Sequence, residues 1–122
     1  MNVEVSRLIL FVDDIDRMSS FYGGILGLTR SPGESDEFVC FVGGGCEICL
    51  HSLPQQYRSD GGEYPKREDT YVKFVFRSDD VERDRKYLVE NGLRMNEIIR
   101  YGDIDLCDGA DPEGNVFQIS SR

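Results

Sequence analysis

The sequence predicts an α+β fold made of two tandem β-α-β-β-β modules. Three observations carry this reading. Apolar residues alternate at positions 7–12 and again at 71–76, marking a strand at the head of each half. Each strand runs into a paired aspartate and then a helical period, as Val12-Asp13-Asp14-Ile15 and as Ser78-Asp79-Asp80-Val81. Late in each half, Gly45-Cys46-Glu47-Ile48-Cys49-Leu50-His51 aligns without gaps on Gly114-Asn115-Val116-Phe117-Gln118-Ile119-Ser120.

The elements follow in order. At 7–12, Leu8, Leu10 and Val12 take one face and Arg7, Ile9 and Phe11 the other, because successive strand side chains alternate. Asp13-Asp14 supplies a cap for a helix with Ile15, Met18, Phe21, Tyr22 and Ile25 at helical spacing, ended by Gly27. Short strands are expected at 28–31, 37–42 and 46–52, separated by Pro32-Gly33 and by Gly43-Gly44-Gly45. Residues 53–69 are polar and rich in turn formers, so they read as a connecting loop, long enough to raise the question of a lid. In the second half, 71–76 alternates with Val72, Phe74 and Phe76 together. Asp79-Asp80 then caps a helix whose inner face is Val81, Leu88 and Val89, and Gly92 stops it. Strands are expected near 96–101, 104–107 and 115–120. The last follows Asp111-Pro112-Glu113-Gly114, a turn in which Pro112 presets φ and Gly114 takes positive φ. It sets Gln118 on the face opposite Phe117 and Ile119.

A chain of 122 residues suits one domain, read here as 1–122, with module one at 1–52, the loop at 53–69 and module two at 70–122. The formal net charge of −9 argues against nucleic acid and anionic membrane surfaces, since no basic surplus exists to replace counterions. No apolar run approaches the ~20 residues that span a bilayer. Met1-Asn2-Val3-Glu4-Val5 lacks the pattern of a signal peptide, so a cytoplasmic protein with reduced thiols is expected. Cys46 and Cys49 form a CxxC within a strand, where residues three apart point oppositely. A chelating or redox role for that spacing is therefore disfavoured.

The sequence resembles the vicinal oxygen chelate superfamily, which groups glyoxalase I, bleomycin-resistance proteins and extradiol dioxygenases. The residues that carry the resemblance are Leu10-Phe11-Val12-Asp13-Asp14-Ile15, Phe21-Tyr22 with Ile25-Leu26-Gly27-Leu28, and Asp111-Pro112-Glu113-Gly114-Asn115. It implies that the two modules form a partly closed, cup-shaped mixed sheet around a small-molecule site, and that the chain is a homodimer. It also implies four positions for the ligands of a divalent metal, which polarises vicinal substrate oxygens. These fall at Arg7, Cys49, Lys73 (or Tyr71, if a gap is allowed) and Gln118. The set departs from the family's His and Glu pattern. Arginine is always charged, lysine would have to lose a proton, and glutamine is a weak neutral donor. No metal or other cofactor is therefore expected. A displaced site on Glu47, Cys49 and His51 would string three ligands along one strand, about 7 Å between alternate residues, an awkward span for a small tetrahedral centre.

Arg7, Phe11, Glu47, Cys49, His51, Lys73 and Gln118 are the candidate ligand-binding residues, and no catalytic residue is assigned. Arg7 and Lys73 either clamp an anionic group or pair with Glu47 or acids such as Asp105. His51 is either a general base or a solvated strand-end histidine. Cys49 is either a nucleophile or a small apolar filler. Aromatics such as Phe11, Phe38 and Phe41 either line a pocket or pack a sheet. The expected function is small-molecule binding without the family's metal. The alternatives are a metal-dependent glyoxalase-like lyase or dioxygenase, and a metal-free enzyme of the same fold.

Overall fold

Strand β1 spans Arg7–Val12 in the computed structural model, which describes residues 1–32, 35–58 and 72–122. It pairs in parallel with β3 (Glu47–Ser52), whose other edge pairs antiparallel with β2 (Phe38–Val42). The strand order in this first unit, Met1–Gly62, is β1-β3-β2. Between β1 and β2 lies helix α1 (Ile15–Ser19), continued by a π-helical turn over Ser20–Ile25. Asp14 is the cap foreseen from the paired aspartates: its carboxylate accepts from the Arg17 amide at 3.0 Å.

Met18, Phe21 and Tyr22 from this helical segment are buried, together with Val12, Val39, Phe41, Ile48 and Leu50 of the sheet. The Phe41 ring lies against Gly23, so close that a β-carbon there would sit 2.7 Å from Cε1. The helix therefore covers the sheet face that carries Phe41. Arg7, Ile9 and Phe11, with Glu47, Cys49 and His51 and with Phe38, Cys40 and Val42, lie on the other face.

The second unit, Glu63–Arg122, holds β4 (Phe74–Arg77), α2 (Val81–Glu90), β5 (Arg94–Met95), β6 (Ile99–Tyr101), β7 (Ile104–Ala110) and β8 (Val116–Ser120). Its sheet runs β4-β8-β7-β5, with β6 also paired to β7; the β4–β8 pairing is parallel and the others antiparallel. Asp80 caps α2 by accepting from the Arg83 amide at 2.9 Å. Phe117, Ile119, Cys107, Val81 and Leu88 are buried. Among the described residues, two α-helices and two mixed sheets give the α+β class that the sequence predicts.

Four local expectations change. The strand at 28–31 contracts to a single bridge, Arg30 to Phe41, flanked by Val42 N to Thr29 O and Ser31 N to Cys40 O, both 2.8 Å. Pro32 follows at once and has no N–H with which to extend a ladder. The strand expected at 96–101 contracts to β6 at Ile99–Tyr101, with the short β5 (Arg94–Met95) lying ahead of that range. Helix 15–25 is α-helical only through Ser19. Val89 is exposed rather than inward, leaving Val81 and Leu88 as the buried pair of α2. Tyr71 and most of loop 53–69, and with it the question of a lid, lie outside the described residues.

The turn before β8 forms as expected. The Asp111 carboxylate accepts from the backbone amides of Glu113 and Asn115 at 2.9 and 3.0 Å and from the Asn115 side chain. Gly114 has φ +83°, which a residue with a β-carbon adopts only under strain. The turn thereby sets the register in which Gln118 faces Asp108.

Candidate functional site

In the first unit, β1 and β3 bring Arg7 beside Glu47, since the two are register partners. An Arg7 guanidinium N–H donates to Glu47 Oε1 at 3.1 Å, and the Ser31 hydroxyl donates to Oε2 at 2.9 Å. The Arg7 guanidinium also lies over the Phe38 ring, 5.9 Å from its centroid. Farther along the same face, the His51 ring sits between Phe11 and Phe38. The centroids are 5.3 Å apart with the rings tilted by 33° for Phe11, and 5.5 Å apart and edge-on for Phe38. Phe11 is 57% exposed, so this aromatic group opens to its surroundings.

Between the Arg7–Glu47 pair and the aromatic group lie Cys40 and Cys49. They are direct partners across β2 and β3, their Cα atoms are 4.0 Å apart, and a disulfide joins them. Cys49 is 0% exposed. The expectation of four reduced thiols is therefore corrected. Cys46 is near Cys49 along the chain, but the cysteine that faces Cys49 is Cys40 on the neighbouring strand. While it is joined to Cys40, Cys49 has no thiolate to serve as nucleophile or metal ligand. The two free cysteines are Cys46 and the buried Cys107.

In the second unit, Lys73 Nζ donates to Asp108 Oδ2 at 2.8 Å, and Gln118 Nε2 donates to Asp108 Oδ1, also at 2.8 Å. Asp108 was not among the candidates. Its only sequence signal is its place opposite Gln118, which depends on the β7–β8 register and not on spacing along the chain. Asp105, the acid considered for Lys73, instead accepts from Arg100 at 2.8 Å.

Each candidate cation thus has a carboxylate partner within its own unit. Arg7 pairs with Glu47 and Lys73 with Asp108. Both pairs are partly exposed, so each is worth at most about 1 kcal/mol. Their consequence for ligand choice is larger than for stability. A cation already neutralised by a carboxylate in hydrogen-bond contact holds an incoming anion only if that partner swings away. The clamp reading loses its motive.

The residues at the family's metal positions do not fit a divalent ion. Arg7 and Lys73 are paired cations, Cys49 is bonded to Cys40, and Gln118 turns its amide N–H toward Asp108. Glu47, Cys49 and His51 share a face of β3, but Glu47 already accepts two hydrogen bonds and Cys49 is bonded to Cys40. Among the described residues no three His, Cys, Asp or Glu side chains gather as a metal would need. Among those residues, too, no helix is long and apolar enough to cross a membrane.

The profile of the Glyoxalase/Bleomycin resistance protein/Dioxygenase superfamily matches residues 4–119. The chain belongs to this superfamily. Solved members and relatives share its fold. A lactoylglutathione lyase from Agrobacterium tumefaciens aligns with a TM-score of 0.70 at 20% identity, covering 98% of this chain and 93% of its own. TnmS3, an antibiotic binding protein from Streptomyces sp. CB03234, aligns with a TM-score of 0.72 at 17% identity, covering 97% and 94%. The fosfomycin resistance protein FosX from Mesorhizobium loti aligns with a TM-score of 0.72 at 18% identity, covering 100% and 94%. No curated protein sequence matches the chain significantly. At these identities the likeness concerns the fold, and a fold by itself does not fix a chemistry.

Proposed function

We propose that this glyoxalase/bleomycin-resistance-type protein binds a planar, amphipathic small molecule, neutral or cationic, without the family's metal. The observation that carries the reading is the group of Phe11, His51 and Phe38, with the exposed Phe11 ring free to stack. Stacked or edge-on aromatic contacts contribute about 0.5–1.5 kcal/mol each beyond area burial. Arg7 is held over Phe38 and neutralised by Glu47, so the face offers polarity without net positive charge. An overall charge of −9 attracts a cation and repels an anion at long range. The lyase and dioxygenase alternatives need a donor set that Arg7, Cys49, Lys73 and Gln118 do not supply.

Thermal shift and calorimetry with planar aromatic cations and with aromatic carboxylates test this. Planar cations should raise the melting temperature, and Phe11→Ala should weaken their binding by about tenfold, the equivalent of one aromatic contact. A larger shift with carboxylates that Arg7→Ala removes would restore the anion clamp. Metal found at stoichiometric level in untagged purified protein would return the enzyme reading. The proposal includes a cytoplasmic homodimer, its oligomeric state checked by sedimentation equilibrium.

A further inference from the structure

We infer that Cys40 and Cys49 form an oxidation site that closes under peroxide and stiffens the candidate ligand face. The placement carries the inference. Along β2 and β3 the rungs on this face run Val42–Glu47, Cys40–Cys49, Phe38–His51. The two sulfurs therefore lie between the carboxylate held by Arg7 and Ser31 and the ring held by Phe11 and Phe38. Cys40 O is engaged outward by the Ser31 amide, so its backbone does not bond to Cys49. This is the closer of the two pair types in an antiparallel ladder, where Cα atoms approach to about 4.5 Å. Here they stand 4.0 Å apart. No rearrangement of the strands is needed for one thiol to reach the other.

The chemistry balances with hydrogen peroxide as oxidant. A thiolate attacks one peroxide oxygen, the O–O bond breaks, and a sulfenic acid and water form after protonation. The facing thiol attacks the sulfenic sulfur, displaces hydroxide, and gives up its proton to it as a second water. Two thiols and one peroxide yield one disulfide and two waters; the cysteines lose two electrons and the peroxide gains them. Both sulfurs are screened, with Cys49 0% and Cys40 4% exposed, so a water-sized oxidant reaches them more readily than a bulky disulfide. In a reducing compartment such a pair is transient rather than a permanent staple. A closed rung fixes the separation of Phe38 and His51 two residues away. That coupling to the ligand rests on the function proposed above; the oxidation itself does not.

The test uses the full chain. Protein reduced with dithiothreitol and desalted is exposed to peroxide, denatured, alkylated and weighed. Of four cysteines, all should take alkyl groups before peroxide and only Cys46 and Cys107 afterwards, and a digest should join the peptides of Cys40 and Cys49. Four adducts after peroxide, or a link through Cys46 or Cys107, overturn the site. Cys40→Ala and Cys49→Ala should each abolish the link while Cys46→Ser leaves it intact; the wild-type peptide map decides even if a variant misfolds. Peroxide should close the pair faster than oxidised glutathione. The His51 ring resonances should differ between the reduced and oxidised protein, and identical resonances overturn the stiffening. A closed pair in a protein that binds no planar molecule would fail the proposed function and leave the oxidation site standing.

Discussion

Asp108 and Gln118 face each other across β7 and β8, and one carboxylate serves both Gln118 and Lys73, each at 2.8 Å. Three side chains from two strands and the approach to β4 are thereby tied at one point. Asp108→Ala should lower stability by about 1 kcal/mol, since the pair is partly exposed and solvent replaces some of what is lost. Asp108→Asn should cost less, because an amide oxygen still accepts. Urea midpoints measure both, and an unmoved midpoint in Asp108→Ala would show the cluster to be energetically silent.

Two adjacent glycines should respond oppositely to the same methyl group. At Gly23 a β-carbon meets the buried Phe41 ring at 2.7 Å, whereas at Gly24 nothing lies within 4 Å. Gly23→Ala should destabilise by about 1–3 kcal/mol through overpacking. Gly24→Ala should be neutral or stabilise by up to about 1 kcal/mol through helix propensity. Thermal melts of the two variants side by side would sink the argument if their order were reversed.

The second helix depends on its cap. Asp80 accepts from the Arg83 amide, and the Ser78 hydroxyl both accepts from the Asp80 amide and donates to Asp84 at 2.6 Å. Asp80→Ala should cost about 1 kcal/mol, and Asp80→Asn much less, as an amide still caps. Equal losses in the two variants would mean the charge, not the cap, is what matters at this position.

Much of this was readable in the residues. The strand Arg7–Val12, both aspartate caps and the positive φ of Gly27, Gly92 and Gly114 follow from patterns a few residues long. The shared face of Arg7, Phe11, Glu47 and His51 follows from strand alternation once two strands are placed side by side. What stayed hidden needed register between strands. Asp108 becomes the partner of Lys73 and Gln118 only when β7 lies antiparallel to β8, and Cys40 meets Cys49 only when β2 lies antiparallel to β3. Alternation says which face a side chain takes but not its neighbour on the next strand. The π-helical turn was invisible for a different reason, since Ser20 to Ile25 keep an apolar spacing that an α-helix would also accept.

Burial holds the Cys107 thiol above its ordinary value of 9.0, against a smaller opposing pull from the Arg85 guanidinium; the thiol also donates to Asn96 O at 3.3 Å. The unfolded thiol therefore ionises first as pH rises, while the folded one keeps its proton. This contribution to stability is complete below 9.0 and is lost as pH climbs from there toward the higher folded value. The urea midpoint should fall more between about pH 8 and about pH 10 in the wild type than in Cys107→Ser. Parallel slopes would contradict the assignment. Native-state alkylation should also reach Cys46 before Cys107.

In the helical turn over Ser20–Ile25, the Leu26 amide reaches back five residues to Phe21 O at 2.8 Å, and the Leu28 amide reaches Tyr22 O at 3.0 Å. Such a turn holds one residue more than an α-helical turn over the same stretch. The segment therefore carries a spare residue, and losing it would rewind the turn into ordinary helix while rotating the downstream chain by about 100°. Gly24, where an added β-carbon would meet nothing within 4 Å, is the residue whose removal the packing should notice least. Deleting it should leave a folded protein, whereas deleting Met18, which is fully buried, should not. In this chain, length is more negotiable at that point than identity is at its neighbour Gly23.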